Sequence, residues 1–98
     1  MSSSDSKIKS EELDLFFKGI LELENIDECY NFFEDVATIN EIKSLAQRFY
    51  VAMLLNSKKT YTEIAEATGA STATISRVNR CLNYGSNGYK TILEKLEK

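Results

Sequence analysis

Apolar residues recur at helical spacing through most of the chain, a pattern that predicts an all-α fold. Ser10, followed by Glu11 and Glu12, and Asn25, followed by Glu28, are the expected N-caps of two helices that carry apolar stripes. The first stripe is rich in aromatic residues and comprises Leu13, Phe16, Phe17, Ile20 and Leu23. The second comprises Ile26, Cys29, Tyr30, Phe32, Phe33 and Val36. Two short amphipathic helices are therefore expected first.

Two capping boxes predict where the next helices begin. In this motif the side chains of a Thr and of a Glu three residues later each bond a backbone N–H that the helix leaves unpaired. Thr38 with Glu41 predicts a longer third helix ending at Asn56, and Thr60 with Glu63 predicts a fourth. The expected inner face of the third helix comprises Ile42, Leu45, Ala46, Phe49, Met53 and Leu54.

Residues 60–83 have the features of a helix-turn-helix unit. Ala65 supplies a small residue where the two helices cross, and Gly69 adopts positive φ in the turn at little cost. Ser71 is the expected N-cap of a fifth helix. The expected interior contacts are Ile64, Ala70, Ile75 and Val78. The agreement of these spacings predicts the unit more strongly than any one residue does.

The remaining segments complete one small domain over residues 7–98. Residues 1–6 are polar and serine-rich, so we expect them to be disordered. Residues 84–88 form a turn-rich link, and a short last helix is expected over 89–97. A chain of 98 residues is near the lower size at which a monomer buries a comfortable core, and dimerisation would relieve that shortage.

Composition excludes several classes of function. No secretory signal and no apolar run long enough to cross a bilayer is found, so we expect a cytoplasmic protein. The 2 cysteines are far apart and histidine is absent, which predicts neither a metal site nor a disulfide framework. Cys29 and Cys81 are expected to be buried free thiols. Without a nucleophile or paired-carboxylate motif, we expect no enzyme and no cofactor.

The charge is divided unevenly along the chain. The net charge is -3, but residues 1–55 carry 5 basic and 11 acidic side chains, whereas residues 56–90 carry 5 basic and 2 acidic. Positive charge is thus confined to the segment around the helix-turn-helix, which favours double-stranded DNA as a partner. The expected phosphate contacts are Lys58, Lys59, Arg77, Arg80 and Lys90.

The fifth helix is the expected recognition helix, because the second helix of such a unit directs its N-terminal residues toward base edges in the major groove. The expected base contacts are Thr72, Ala73, Thr74 and Ser76. They are short, and their hydroxyl and methyl groups suit hydrogen bonds and thymine methyl contacts. Solvation of a helix start is the alternative explanation for Thr72 and Thr74.

The segment GASTATISR resembles the turn and recognition helix of the Trp repressor superfamily. The likeness extends from Thr38 to Leu96, includes the Leu45-x-x-Arg48 pattern, and is strongest to the YerC/YecD branch. The resemblance implies a six-helix fold and an intertwined homodimer in which the N-terminal helices of two subunits interlock.

The resemblance also implies a possible effector pocket at Arg48, Arg77 and Val78. The two arginines match those that flank the indole in the Trp repressor, but Val78 stands where that protein has a glycine against the ligand. A β-branched side chain fills space that the ring needs. Tryptophan is therefore not expected to be the corepressor.

Two functions from different classes remain open. The first is a sequence-specific transcriptional regulator, a repressor that binds a symmetric operator as a dimer. The second is a protein-interaction module whose helix-turn-helix no longer binds DNA and whose acidic N-terminal half contacts a partner. Salt-dependent binding to duplex DNA distinguishes the two.

Overall fold

The computed structural model describes residues 6–97, which form six α-helices. They are α1 (Glu11–Leu21), α2 (Ile26–Val36), α3 (Ile39–Asn56), α4 (Tyr61–Thr68), α5 (Thr72–Tyr84) and α6 (Gly88–Leu96), and the all-α prediction is confirmed. The described residues fall into two compact units, one up to Thr38 and one from Ile39 onward. Apart from Ser6, the predicted disorder of residues 1–6 concerns residues outside the described range. Within that range no helix is long and apolar enough to cross a membrane.

The predicted N-caps are present on the first two helices. Ser10 Oγ accepts a hydrogen bond from the backbone N–H of Leu13 at 3.1 Å. Asn25 Oδ1 accepts one from the backbone N–H of Glu28 at 2.8 Å. Each bond satisfies one of the donors that a helix start leaves unpaired. The third helix begins directly after Thr38, also as predicted.

The start of α4 is a complete capping box. The backbone N–H of Thr60 donates to Glu63 Oε1 at 2.9 Å, and the backbone N–H of Glu63 donates to Thr60 Oγ1 at 3.1 Å. The bond from the Thr60 backbone favours the charged carboxylate most, so the pKa of Glu63 lies below its usual value. The resulting stabilisation is present above the unfolded-state pKa and is lost as the pH falls through the folded-state pKa.

The N-terminal unit, with α1 and α2, contains a cluster of phenylalanine rings. The centroids of Phe16 and Phe32 lie 5.9 Å apart, and those of Phe32 and Phe33 lie 5.4 Å apart with the rings edge to face. No residue of α1 or α2 is fully buried. The exposed large apolar side chains of these helices are Leu15, Phe17, Leu21, Ile26, Tyr30 and Val36. Within one chain, this unit therefore leaves much apolar surface in contact with solvent.

The C-terminal unit has a core built where α3, α4 and α5 meet. Its buried cluster consists of Val51, Ala52, Ile64, Ala70, Ile75 and Val78. The four interior contacts predicted for the helix-turn-helix all belong to this cluster, so that prediction is confirmed. Leu82 and Leu93 are also buried, on α5 and α6.

The inner face predicted for α3 is wrong at several positions. Leu45, Ala46 and Met53 are exposed, whereas the fully buried residues of α3 are Val51 and Ala52. The half-buried members of the predicted face are Ile42, Phe49 and Leu54. Because α3 is apolar on more than one side, its periodicity does not reveal which side packs against α4 and α5.

Both cysteines are free, as predicted, but the prediction that they are buried is wrong. Cys29 lies on α2, a helix with no buried residue. Cys81 lies on α5, whose buried side is formed instead by Ile75, Val78 and Leu82. The small apolar character of cysteine favours burial on average, but the register of these helices turns both thiols toward solvent.

Two glycines are required for different reasons. Gly69 has φ 74°, a left-handed conformation that favours glycine, and a Cβ there would meet no other atom. Gly85 has an ordinary negative φ, but a Cβ there would lie 2.4 Å from the carbonyl oxygen of Cys81. Gly69 therefore allows the turn between α4 and α5. Gly85 allows the backbone at the end of α5 to pass close to the carbonyl group of Cys81.

The capping box of α4 gives a stability prediction. Thr60→Ala should lower the free energy of unfolding by about 1 kcal/mol, because the mutation leaves a donor of the first turn unpaired. Thr62→Ala, at an exposed position two residues further on, should be neutral or slightly stabilising, since alanine has the higher helix propensity. Urea unfolding at one protein concentration measures both changes. Equal effects of the two mutations would contradict the role assigned to the cap.

Candidate nucleic-acid interface

A short hydrogen-bond network holds the turn of the helix-turn-helix at Gly69. Thr68 Oγ1 donates to the carbonyl oxygen of Ile64 at 2.7 Å and accepts from the backbone N–H of Ala70 at 3.0 Å. Gln47 Nε2 of α3 donates to the carbonyl oxygen of Thr68 at 3.1 Å. The sequence analysis did not single out Gln47 or Thr68, because their role depends on the contact between α3 and α4.

The predicted recognition helix α5 has one buried and one exposed side. Its buried residues are Ile75, Val78 and Leu82. The exposed residues of α5, with Cys81 left out, lie on the opposite side of the helix. At 3.6 residues per turn they span about 140° around the helix axis. This exposed arc of α5 comprises Thr72, Ala73, Ser76, Arg77, Arg80, Asn83 and Tyr84. One helix therefore both completes the core and presents a continuous polar surface.

The exposed arc of α5 suits an anionic partner. Arg77 and Arg80 lie on it, and no Asp or Glu occurs anywhere between Glu66 and Glu94. The predicted phosphate contacts Lys58 and Lys59 lie in the turn that precedes α4 and are also exposed. The fifth predicted contact is the half-buried Lys90 of α6. Among the described residues, none of these five side chains forms an ion pair, so each is available to a phosphate.

The four predicted base contacts differ in accessibility. Thr72, Ala73 and Ser76 lie on the exposed arc, whereas Thr74 is half-buried beside it. Ser71 Oγ lies 3.1 Å from Thr74 Oγ1 and also accepts the backbone N–H of Thr74 at 3.1 Å. The hydroxyl of Thr74 is thus already engaged in the cap of α5, and the three other side chains are better placed to approach bases.

The three residues of the possible effector pocket have three different environments. Val78 is 3% exposed and packs in the core. Arg77 lies on the exposed arc of α5. Arg48 lines a groove of about 390 Å³ along α3, together with Asn40, Glu41, Ser44 and Leu45. Arg77 does not line that groove, so the two arginines do not share this cavity.

A second groove, of about 550 Å³, is mainly apolar and lies between α3, the end of α5 and α6. Its lining residues are Phe49, Cys81, Gly85, Ser86, Gly88, Tyr89 and Ile92. The ring centroids of Phe49 and Tyr89 lie 6.5 Å apart. Burial raises the pKa of the Tyr89 hydroxyl, and the nearby Cys81 raises it further. Within residues 6–97, no cluster of side chains is arranged to hold a metal ion.

Comparison with known proteins places these features in a family. Residues 11–97 match the model of the Trp repressor protein family. The uncharacterized protein YerC of Bacillus subtilis is 53% identical over 92 residues, which cover 94% of this chain and 88% of YerC.

Two solved structures share the fold closely. A TrpR-like protein from Eubacterium eligens is 58% identical, with a TM-score of 0.90 over 93% of this chain and 94% of that one. A proposed Trp repressor from Staphylococcus aureus is 48% identical, with a TM-score of 0.89 over 93% of this chain and 91% of that one. With its six helices, its helix-turn-helix and these relatives, the chain belongs to the Trp repressor family, in the YerC-like branch.

Proposed function

We propose that this protein is a transcriptional repressor that binds a two-fold symmetric DNA operator as a homodimer. The observation that carries the proposal is the exposed arc of α5, which is free of acidic residues and includes two arginines. A recognition helix of this kind fits the major groove, and its cations fit the phosphates on either side. Repression is the simpler mode of action, because occupying a promoter requires no contact with other proteins. The proposed site of action is the cytoplasm.

The dimer is proposed from the apolar surface of the N-terminal unit. No residue of α1 or α2 is buried within one chain, and among their apolar side chains Leu21 is 80% exposed and Leu15 is 72% exposed. Exposing this much apolar surface to water is unfavourable in free energy for so small a chain. A second copy of the chain would cover the surface. A closed two-fold dimer would also pair two recognition helices, about 34 Å apart along the DNA.

The candidate DNA-contact residues divide into two groups in this proposal. Thr72, Ala73 and Ser76 contact base edges, while Thr74 supports them by fixing the first turn of the helix. Short side chains give few direct hydrogen bonds, so water and DNA shape contribute to specificity. Phosphates are contacted by Lys58, Lys59, Arg77, Arg80 and Lys90.

We further propose that the repressor needs no tryptophan. Val78 is packed among Ile64, Ile75 and Ala70, so its side chain supports α5 from within the protein. A ligand that had to occupy the position of this side chain would disrupt a close-packed core. Arg48 and Arg77 then have no indole to flank, and Arg77 is free for phosphate.

DNA binding is tested first by selecting duplexes from a random pool. The selected sequences should be two-fold symmetric, and the affinity should fall steeply as salt rises.

Arg80→Ala should weaken binding to all sequences and reduce the slope of log affinity against log salt by about 1 per contact, whereas Ser76→Ala should change the preferred sequence. Lys43→Ala, an exposed cation on α3, is the control and should leave the slope unchanged. Absence of any salt-dependent duplex binding would favour the alternative, a protein-interaction module.

The oligomeric state is tested by light scattering at micromolar concentration. The chain should have the mass of a dimer, and Phe17→Glu should shift it toward the monomer by placing a charge in the covered surface. Lys18→Glu, at the neighbouring exposed position, should remain dimeric. A monomeric wild-type protein would rule out paired recognition helices.

Independence from tryptophan is tested by calorimetry with millimolar L-tryptophan. We expect no saturable heat, because Val78 leaves no room for the ring. The affinity for the selected duplex should also be the same with and without the amino acid. A saturable heat, or a gain in DNA affinity with tryptophan, would show that the pocket is open.

A further inference from the structure

Tyr84 is the most solvent-exposed of the large apolar and aromatic side chains in the described residues, at 88%. It is the last residue of α5. Among the described residues, no hydrogen bond or ring contact involves its side chain. Tyrosine combines an apolar ring with a polar hydroxyl and is enriched at interfaces for that reason. Among the described residues, nothing packs on or bonds this side chain in a way that explains why a tyrosine stands there.

The position of Tyr84 on α5 indicates which partner it meets. On the exposed arc of α5 it lies between the directions of Ala73 and Arg77, opposite the buried Leu82. It is 12 residues beyond Thr72, or about 18 Å along the helix axis at 1.5 Å per residue. The arc that carries the recognition residues thus continues, in the same direction, to the end of the helix.

The depth of the DNA groove sets the level at which Tyr84 meets the duplex. The major groove is about 8.5 Å deep, less than half the length of α5. When the N-terminal residues of α5 lie at the base edges and the helix axis is inclined in the groove, its C-terminal end lies at the level of the phosphate rim. At that level a side chain meets the sugar-phosphate backbone rather than bases.

Resting on the proposed function, we propose that Tyr84 is a further DNA-contact residue whose hydroxyl donates a hydrogen bond to a phosphate flanking the recognition site. The chain on either side of Tyr84 is electrostatically suited to an anion, since residues 67–93 contain no Asp or Glu. The neighbouring Asn83 is a poorer donor, because its Nδ2 already donates to the carbonyl oxygen of Asn79 at 2.9 Å and to its Oδ1 at 3.0 Å. Tyr84 is neutral, so it adds affinity without releasing a counterion.

The test compares Tyr84→Phe with wild type on a fluorescein-labelled duplex of the selected sequence. Loss of a hydrogen bond to a charged group should weaken binding about tenfold. The salt slope should stay unchanged, in contrast to the loss of an arginine. The matched control is Tyr50→Phe, which removes an exposed tyrosine hydroxyl on α3 and should bind as wild type does. Thermal unfolding of Tyr84→Phe should match wild type, because the side chain is 88% exposed and its hydroxyl bonds no described residue.

The contacted phosphate is found by replacing individual phosphates with neutral methylphosphonates. One flanking replacement should weaken the wild-type protein but have no further effect on Tyr84→Phe. Equal affinity of Tyr84→Phe and wild type, equal losses in both Tyr→Phe variants, or identical methylphosphonate patterns would overturn the inference and leave the proposed function standing. If the wild-type protein binds no duplex, the proposed function and this inference fail together.

Discussion

Within residues 6–97, the largest side chains fully excluded from solvent each come from a different helix: Val51 from α3, Ile64 from α4 and Ile75 from α5. Their packing fixes the angle between the two helices of the helix-turn-helix. A close-packed contact of this kind has few alternative arrangements, so α5 is held in one orientation. The proposed function of the exposed arc of α5 depends on this orientation, because short side chains could reach base edges only if their backbone is placed accurately.

The core and the exposed arc of α5 draw on residues of the same short helix. α5 gives Ile75, Val78 and Leu82 to the interior and keeps its arginines outside. In the Trp repressor, as the resemblance implies, a glycine at the position of Val78 leaves space for an indole. Here the protein itself fills the position, which in our proposal replaces a ligand-dependent orientation of α5 with a permanent one.

The two units of the chain differ in what they bury. The C-terminal unit has its own core, whereas α1 and α2 contain no buried residue. The sequence predicted the apolar stripes of α1 and α2, including Phe16 and Phe32, from their spacing. It could not predict the ring contacts between them, because residues 16 positions apart meet only through the path of the chain between the two helices.

The sequence by itself determined the helix starts and the turn of the helix-turn-helix. Caps such as Ser10 and Thr60 act within one turn of helix, and Gly69 acts through its own φ, so these features need no distant partner. Only the tertiary structure decided that Val51 is buried while Leu45 is exposed, and that Thr74 lies beside the exposed arc of α5. The physical reason is that burial depends on which neighbour covers a helix face, and a helix with apolar residues on several sides leaves that choice to the packing of the whole unit.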